Sequence, residues 1–461
     1  MAPTSGGGQG VTVRHALRRM LSGGGVRIIG IPVTAVLGLL NTGLVVAHTG
    51  SVTYGIVNTI ATLGVLLPFA DLGMGVSVTT AVGIATTDPG HRTTATATVR
   101  AVLTRLCLVA LIGLALVWTV TLTGGWSVVL GRDFSGTESL LVGLAVSLFF
   151  LALPCGAGSR ALVGLDRNHV VVAVNITATG WALVCTLLLA AAGAHGIPYV
   201  LSGFTGTLVS NAVLLVIALV RLRRREMGLG RRGMATTDGP DRPTRLLAGS
   251  GWMLLIMIGL PVGLETGRLV LAHRAVPVEL SLFALGAQLY ALTWSVLSTS
   301  GQALWPIFAR QRGALAGNLR LWRHLVLLLG AAAVVGGACL VLVGPWLSGV
   351  ISQGELRVGR GQMVAFAALL LVQALHLPAG MMLTRPEELR WQAGCVAVMA
   401  AISITVSITW APAFGGVAVT TGAAAGVLLG QFLPDLVMAS RLLRRRPGVA
   451  QSDAATAVTP A

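Results

Sequence analysis

The sequence predicts an all-α polytopic membrane protein, with about twelve transmembrane helices in two parallel six-helix repeats around a central cavity. Three observations predict this fold. Apolar residues make up 54% of the chain, charged residues only 10%, and the mean hydropathy is +0.84, whereas a soluble domain carries about 25% charged residues. Arginine clusters and Gly/Pro breaks divide the chain into about twelve apolar segments. Both halves of the chain end on a similar arginine-rich pattern.

Each apolar segment has the roughly 20 residues that a helix needs to cross a bilayer. Helices are expected because a backbone that faces lipid must satisfy its hydrogen bonds within its own segment. We place the spans at 26–48, 54–84, 100–123, 139–163, 170–193, 197–220, 246–272, 279–305, 322–344, 361–384, 391–411 and 414–440.

These spans define the predicted organisation of the chain. Residues 1–25 form a cytoplasmic N-terminal segment, and 26–220 form the first six-helix bundle. A basic cytoplasmic linker, 221–245, leads to the second bundle, 246–440. A cytoplasmic tail, 441–461, follows it.

The arginines predict the orientation in the membrane. With a cytoplasmic N-terminus, the inner segments hold 27 of the 32 arginines, and the outer loops hold Arg132, Arg274, Arg357 and Arg360. Only Arg268 falls well inside a span. This bias follows the positive-inside rule, so both termini are predicted to be cytoplasmic in a cell (inner or plasma) membrane. The net charge of +17 lies between hydrophobic segments, and we therefore expect no nucleic-acid partner.

An internal duplication is indicated by short matches at nearly constant offset. Segments of the first half match segments of the second: 221–225 with 441–446, 41–43 with 265–267, and 153–156 with 377–380. The first pair is about 220 residues apart and the other two are 224 apart. Parallel repeats of this kind are characteristic of transporters rather than of membrane enzymes.

Three motifs resemble a known family. The second span opens with Tyr54-Gly55 and continues through LLPFADLGMG at 66–75; RALVGLDR lies at 160–167, and ALWPIFAR at 303–310. They resemble the second helix and the ends of the fourth and eighth helices of polysaccharide-biosynthesis (O-antigen-type) flippases. These flippases belong to the multidrug/oligosaccharidyl-lipid/polysaccharide exporter superfamily. Many relatives carry an aspartate in the seventh helix, where this chain has Glu265 with Arg268 nearby.

The resemblance implies an alternating-access flippase that moves lipid-linked oligosaccharide or polysaccharide precursors from the cytoplasmic to the outer leaflet. Its partners would be the lipid-linked glycan, membrane lipids, and protons or sodium as coupling ion. A cation-coupled multidrug or toxin extruder of the same fold is the alternative. A membrane-embedded polysaccharide polymerase or ligase is less favoured, because the sequence shows no phosphate-binding loop, no metal-ligand spacing and no large outer domain. We therefore expect a chain that is not an enzyme and carries no cofactor or metal.

Glu265 and Arg268 are the main candidates for the substrate site. Their i,i+3 spacing places them on one helix face, about 30 Å from Arg245 and so in the outer half of the membrane. Arg268 is a candidate to receive an anionic group, with Glu265 orienting it or taking a proton. The alternative is an intrahelical ion pair or an arginine that reaches the interface. Asn41, the repeat mate of Glu265, either faces it across the cleft or packs helices together.

Four further polar residues are weighed in the same way. Asp71 is a candidate coupling residue, or it satisfies backbone donors near Gly73. Arg160 either gathers head-group phosphates or reaches the inner interface. Asp435 is expected to make a buried structural pairing near the interface, and His376 is expected to be a hydrogen-bonded core histidine, with titration as the alternative.

Overall fold

The computed structural model describes residues 25–66, 74–224, 244–302, 315–383 and 385–444, and within these ranges the regular structure is helical. The first half contains α1 (Gly25–Leu66), α2 (Met74–Thr87), α3 (Arg92–Leu122), α4 (Trp126–Leu130), α5 (Gly136–Gly164), α6 (Asn168–Ala191) and α7 (Leu201–Arg224). The second half contains α8 (Thr244–Arg274), α9 (Pro277–Gln302), α10 (Leu315–Ile351), α11 (Arg360–Met382), α12 (Pro386–Gly426) and α13 (Leu433–Arg444). A π-helical turn, Val427–Phe432, joins α12 to α13.

Helix α1 doubles back at Gly50, where φ is 75° and ψ is 167°. A positive φ is readily adopted by glycine and strained for other residues. Thr34 and Ala61 lie on opposite sides of this reversal, and both line one cavity. On a straight helix they would be about 40 Å apart.

Helix α12 reverses in the same way at Gly415, where φ is 52°. Beyond this point Gly422 lies against the Ser403 carbonyl, and Gly426 lies against the Met399 carbonyl. Among the described residues, ten helical stretches are long and apolar enough to cross a membrane. They supply twelve crossings, since α1 and the α12–α13 stretch each supply two. The prediction of an all-α, multi-pass membrane protein is confirmed.

The structure differs from the predicted spans in three details. Helices α3 and α10 begin at Arg92 and Leu315, seven or eight residues before the predicted spans. Hydropathy detects only the apolar part of a helix, and these helices extend into polar sequence. The short helix α4 lies in a segment predicted to be an outer loop, and the π turn interrupts the last span.

Packing within each half exceeds packing between the halves. In the first half α5 packs against α3 and α7, and α7 also packs against α6. In the second half α8 packs against α12, and α11 packs against α10 and α12. The halves meet mainly where α1 contacts α8 and α9.

The contacts between the halves concentrate at the end of the molecule that the arginines predict to be outer. The Gly55 N–H donates to Ser281 Oγ at 2.8 Å. The ring Nε2 of His273 lies 2.9 Å from the carbonyl oxygen of Val128, which belongs to α4. Gly43 lies against the Ile351 carbonyl. Away from this end, cavities open between α1, α6 and α9.

Candidate functional site

A cavity of about 380 Å³ lies between the two halves, and we call it the central cavity. Both limbs of α1 contribute to its wall, together with α6, α7 and α9. Its polar lining consists of hydroxyl and amide groups: Thr34, Asn41, Thr42, Tyr54, Asn58, Thr179, Tyr199, Ser202, Thr207 and Gln288. None of the described residues that line it is charged.

Hydrogen bonds across the halves fix part of this lining. Tyr54 donates its hydroxyl proton to Gln288 Oε1 at 3.3 Å, and Gln288 Nε2 donates to the Gly38 carbonyl at 3.4 Å. Asn41 Oδ1 accepts from Thr186 Oγ1 at 2.7 Å, which joins α1 to α6 within the first half. Asn41 thus lines the central cavity and also packs two helices together.

Arg268 joins the two halves near the predicted outer end. Its Nε donates to Glu265 Oε2 at 2.8 Å, one helical turn away on α8. Its Nη1 donates to Asn58 Oδ1 on α1. The guanidinium carbon lies 5.5 Å from the centre of the Phe283 ring. The side chain is only 12% exposed and that of Glu265 is 27% exposed.

The predicted spacing of Glu265 and Arg268 therefore produces an ion pair inside the membrane-spanning region. A buried charge in a bilayer is expensive unless it is paired or faces a polar cavity. Here the arginine has a carboxylate, an amide oxygen and an aromatic face as partners. Since Asn58 lines the central cavity, the guanidinium lies directly behind the cavity wall.

Glu265 and Arg268 line a second cavity of about 170 Å³, which we call the second-half cavity. Tyr290, Gln373 and Thr420 also line it. Tyr290 donates to Gln373 Oε1, and Thr420 adds a hydroxyl to the lining, so this cavity also has polar groups besides the ion pair. The ion pair thus separates the second-half cavity from the central cavity.

Arg160 lies in a different place, in a cavity of about 220 Å³ inside the first half. Gly75 makes room for it, because a Cβ at Gly75 would lie 2.7 Å from Arg160 Nε. Thr207 lines both this cavity and the central cavity. The role of Arg160 in gathering phosphates stays a prediction. Asp71, the coupling candidate, lies outside the described residues.

The sequence did not single out Asn58 or Phe283, which contact Arg268 in addition to Glu265. Asn58 carries a weak signal, because it is an amide within the predicted span 54–84, although only four residues from its start. Phe283 carries no such signal, since a phenylalanine in an apolar span is ordinary. Only the tertiary structure brings it under the guanidinium.

Comparison with solved structures identifies membrane proteins of similar fold. A multidrug-resistance MATE transporter of the MOP superfamily, solved facing inward, has a TM-score of 0.69 at 13% identity; the match covers 88% of this chain and 95% of that chain. The lipid II flippase MurJ, in an inward closed conformation, has a TM-score of 0.60 at 12% identity, with coverage of 89% and 87%. A mutant of the Vibrio cholerae MATE transporter VcmN has a TM-score of 0.56 at 12% identity, with coverage of 94% and 98%.

No family model matches the chain, and no curated protein matches it in sequence. The fold is therefore that of the all-helical, multi-pass membrane proteins represented by MATE transporters and MurJ. These structural relatives are transporters and a flippase rather than enzymes.

Proposed function

We propose that this chain is an alternating-access flippase that moves lipid-linked oligosaccharide or polysaccharide precursors to the outer leaflet. The observation that carries the proposal is the Arg268–Glu265 pair beside a cavity lined by hydroxyls and amides. Such groups exchange hydrogen bonds with sugar hydroxyls, and a guanidinium binds phosphate through charge-assisted hydrogen bonds. A diphosphate-linked glycan offers both chemistries.

The position of the cavity supports the proposed direction of transport. The two halves touch at the predicted outer end and leave the central cavity further in, between α1, α6 and α9. With the predicted orientation, this arrangement supports a state that would receive substrate from the cytoplasmic side. The first structural relative is also described as facing inward.

A multidrug extruder is the second candidate, favoured by the higher TM-score of the MATE transporter, 0.69 against 0.60 for MurJ. The lining of the central cavity argues against amphipathic cations as cargo. Its described residues include no carboxylate, and its two aromatic residues, Tyr54 and Tyr199, are buried. Cation sites ordinarily use aromatic faces or acids.

The test of this proposal is the charge of Arg268. Arg268→Ala should abolish export of the surface glycan while the protein remains at nearly normal abundance, and the lipid-linked precursor should accumulate in the cytoplasmic leaflet. Glu265→Gln should have a smaller effect if the carboxylate only orients the arginine, and an equal effect if it carries a coupling proton. The double variant should be no worse than Arg268→Ala, since contacting residues act as a unit.

Arg132→Ala is the matched control. Arg132 also pairs with a glutamate, Glu138, at 3.4 Å, but that pair lies in a predicted outer loop, with side chains 36% and 30% exposed. Arg132→Ala should leave export unchanged, because ion pairs in water-facing loops contribute little to stability. Full export by Arg268→Ala would reject the proposed site. A deletion strain with normal surface glycans but new sensitivity to cationic dyes would favour the extruder.

A further inference from the structure

A second buried carboxylate lies in the second half, away from the cavities described above. Asp435 of α13 is 1% exposed. Its Oδ2 lies 2.9 Å from Nε2 of His376 on α11, and its Oδ1 accepts from Nε1 of Trp391 on α12 at 3.1 Å. Three helices thus meet on one carboxylate. Nothing in the sequence pairs Asp435 with His376, and the structure brings them together across 59 residues.

No arginine of the described residues forms an ion pair with Asp435, and its partner of opposite charge type is His376. Cys395 of α12 is the other titratable side chain that contacts the carboxylate. The other charged or titratable side chains described on the packed elements are exposed or held by other partners: Arg323, His324 and Cys339 of α10, Arg360 of α11, Glu387, Glu388 and Arg390 of α12, Glu265, Arg268, His273 and Arg274 of α8, Glu279 and Tyr290 of α9, and Arg441 of α13.

The net charge of the pair depends on a single proton. An ionised Asp435 beside a neutral His376 carries a charge of minus one, and binding of one proton makes the pair neutral. An uncompensated charge is costly inside a membrane protein, whereas a neutral hydrogen-bonded pair is not. The imidazole and the carboxylate share a hydrogen bond, so the proton belongs to the pair rather than to either group alone.

The pair lies at a point where helix geometry changes. Helix α13 follows the π turn Val427–Phe432, and π turns within helices often mark functional sites. Gly430 of that turn packs so closely on α12 that a Cβ would lie 2.5 Å from the Met399 nitrogen. His376 precedes Pro378, which lies inside α11. The bond therefore links the predicted inner ends of α11 and α13 beside two helix irregularities.

We infer that the Asp435–His376 pair is a proton-binding site whose occupancy favours the conformation seen here, in which the pair is buried. Loss of the proton leaves a net charge, which favours a conformation where α11 and α13 part and water reaches the carboxylate. This inference rests on the proposed alternating access, because it assigns the proton a place in that cycle. It is separate from the Arg268 site in position and in chemistry.

The test is the pH dependence of the conformational equilibrium in full-length protein, without substrate. Spin labels are attached at Asn168→Cys and Glu387→Cys, in a cysteine-free background in lipid nanodiscs. Double electron–electron resonance spectroscopy then reports the distance between the predicted inner ends of the halves. Lowering the pH from about 8 to about 5 should raise the ratio of open to closed inner ends on the order of tenfold, if the two conformations differ tenfold in proton affinity. Asp435→Asn, which keeps the shape but cannot titrate, should abolish this response.

Two further variants distinguish proton binding from a structural contact. Trp391→Phe removes a donor to the carboxylate without removing a titratable group, so the response should persist with its midpoint at higher pH. His376→Gln keeps an N–H donor but cannot bind a proton, so the midpoint should be displaced. Asp88→Asn is the matched control, because Asp88 and His91 form a 2.8 Å pair that is 56% exposed on both sides; it should respond like the unaltered protein.

A flat response in the unaltered protein, or a full response in Asp435→Asn, would overturn the inference. Equal loss of stability in all three variants without a change in pH dependence would identify a structural contact and also overturn it. These outcomes are independent of the glycan export measured with Arg268→Ala. Either proposal can therefore fail while the other stands.

Discussion

At the scale of single residues, Arg268 has three partners, Glu265, Asn58 and Phe283, of which the sequence anticipated one. The ion pair to Glu265 is local, one turn along the same helix. The bond to Asn58 is not local, since it spans 210 residues and crosses from one half to the other. Such a contact exists only while the halves touch at the predicted outer end, so it should stabilise that conformation specifically.

Asn58→Ala should therefore shift the protein away from the conformation described here. A hydrogen bond to a charged group contributes about 1.5–3 kcal/mol, which corresponds to at least about a tenfold change in the conformational ratio. The measurement is the labelling rate of Thr34→Cys, a central-cavity position, from each side of oriented vesicles. We expect faster labelling from the outer side.

Asn58→Asp provides the opposite change, since a carboxylate facing Arg268 should hold the halves together and slow outer labelling. Asn168→Ala, at the exposed start of α6, is the control and should change neither rate. If Asn58→Ala and Asn168→Ala label alike, the contact between Arg268 and Asn58 does not influence the equilibrium.

At the scale of helices, close approach depends on glycine at the crossing of α1 and α9. A Cβ at Gly55 would lie 2.6 Å from the Ser281 nitrogen and 2.8 Å from the Leu280 carbonyl carbon. Both are backbone atoms, which cannot move aside as a flexible side chain can. Gly55 and Ser281 also share the hydrogen bond that joins the halves, so helix spacing and hydrogen bonding reinforce each other.

Gly55→Ala should therefore separate the halves at this crossing. Overpacking of this kind costs about 1–3 kcal/mol, and we expect a lower melting temperature together with reduced export. Gly83→Ala is the matched control, because the nearest neighbour of its Cβ would be the Gly164 carbonyl oxygen at an ordinary 3.8 Å. Equal thermal stability of the two variants in detergent would show that the crossing tolerates a methyl group.

At the scale of the whole molecule, the direction of transport depends on the orientation in the membrane. The fold fixes which ends of the helices lie together, because both hairpin reversals, at Gly50 and Gly415, lie at the end where the halves touch. It does not fix which end faces the cytoplasm. That assignment rests on the arginine bias.

Cysteine labelling in intact cells tests the orientation directly. In a cysteine-free background, Val52→Cys, Gly136→Cys and Glu355→Cys should react with a membrane-impermeant maleimide, since these positions are exposed at the predicted outer end. Asn168→Cys and Gly233→Cys should react only after the cells are permeabilised. Labelling of Gly233→Cys in intact cells would reverse the orientation and the proposed direction of transport.

The sequence by itself determined the class of fold and the number of crossings. Apolar length, arginine clusters and glycine or proline breaks act locally, within about 20 residues, and the bilayer requires helices of that length. The i,i+3 spacing of Glu265 and Arg268 was equally local, so it also predicted that the two side chains share a helix face.

Only the tertiary structure decided which distant residues meet. Asn58 and Phe283 reach Arg268, and His376 reaches Asp435, because helices far apart in the chain cross at particular angles and depths. Hydropathy cannot specify these crossings, since lipid-facing and buried positions are equally apolar in a membrane protein. Small residues such as Gly55 allow the close approach, but their partners are fixed by the packing of the whole bundle.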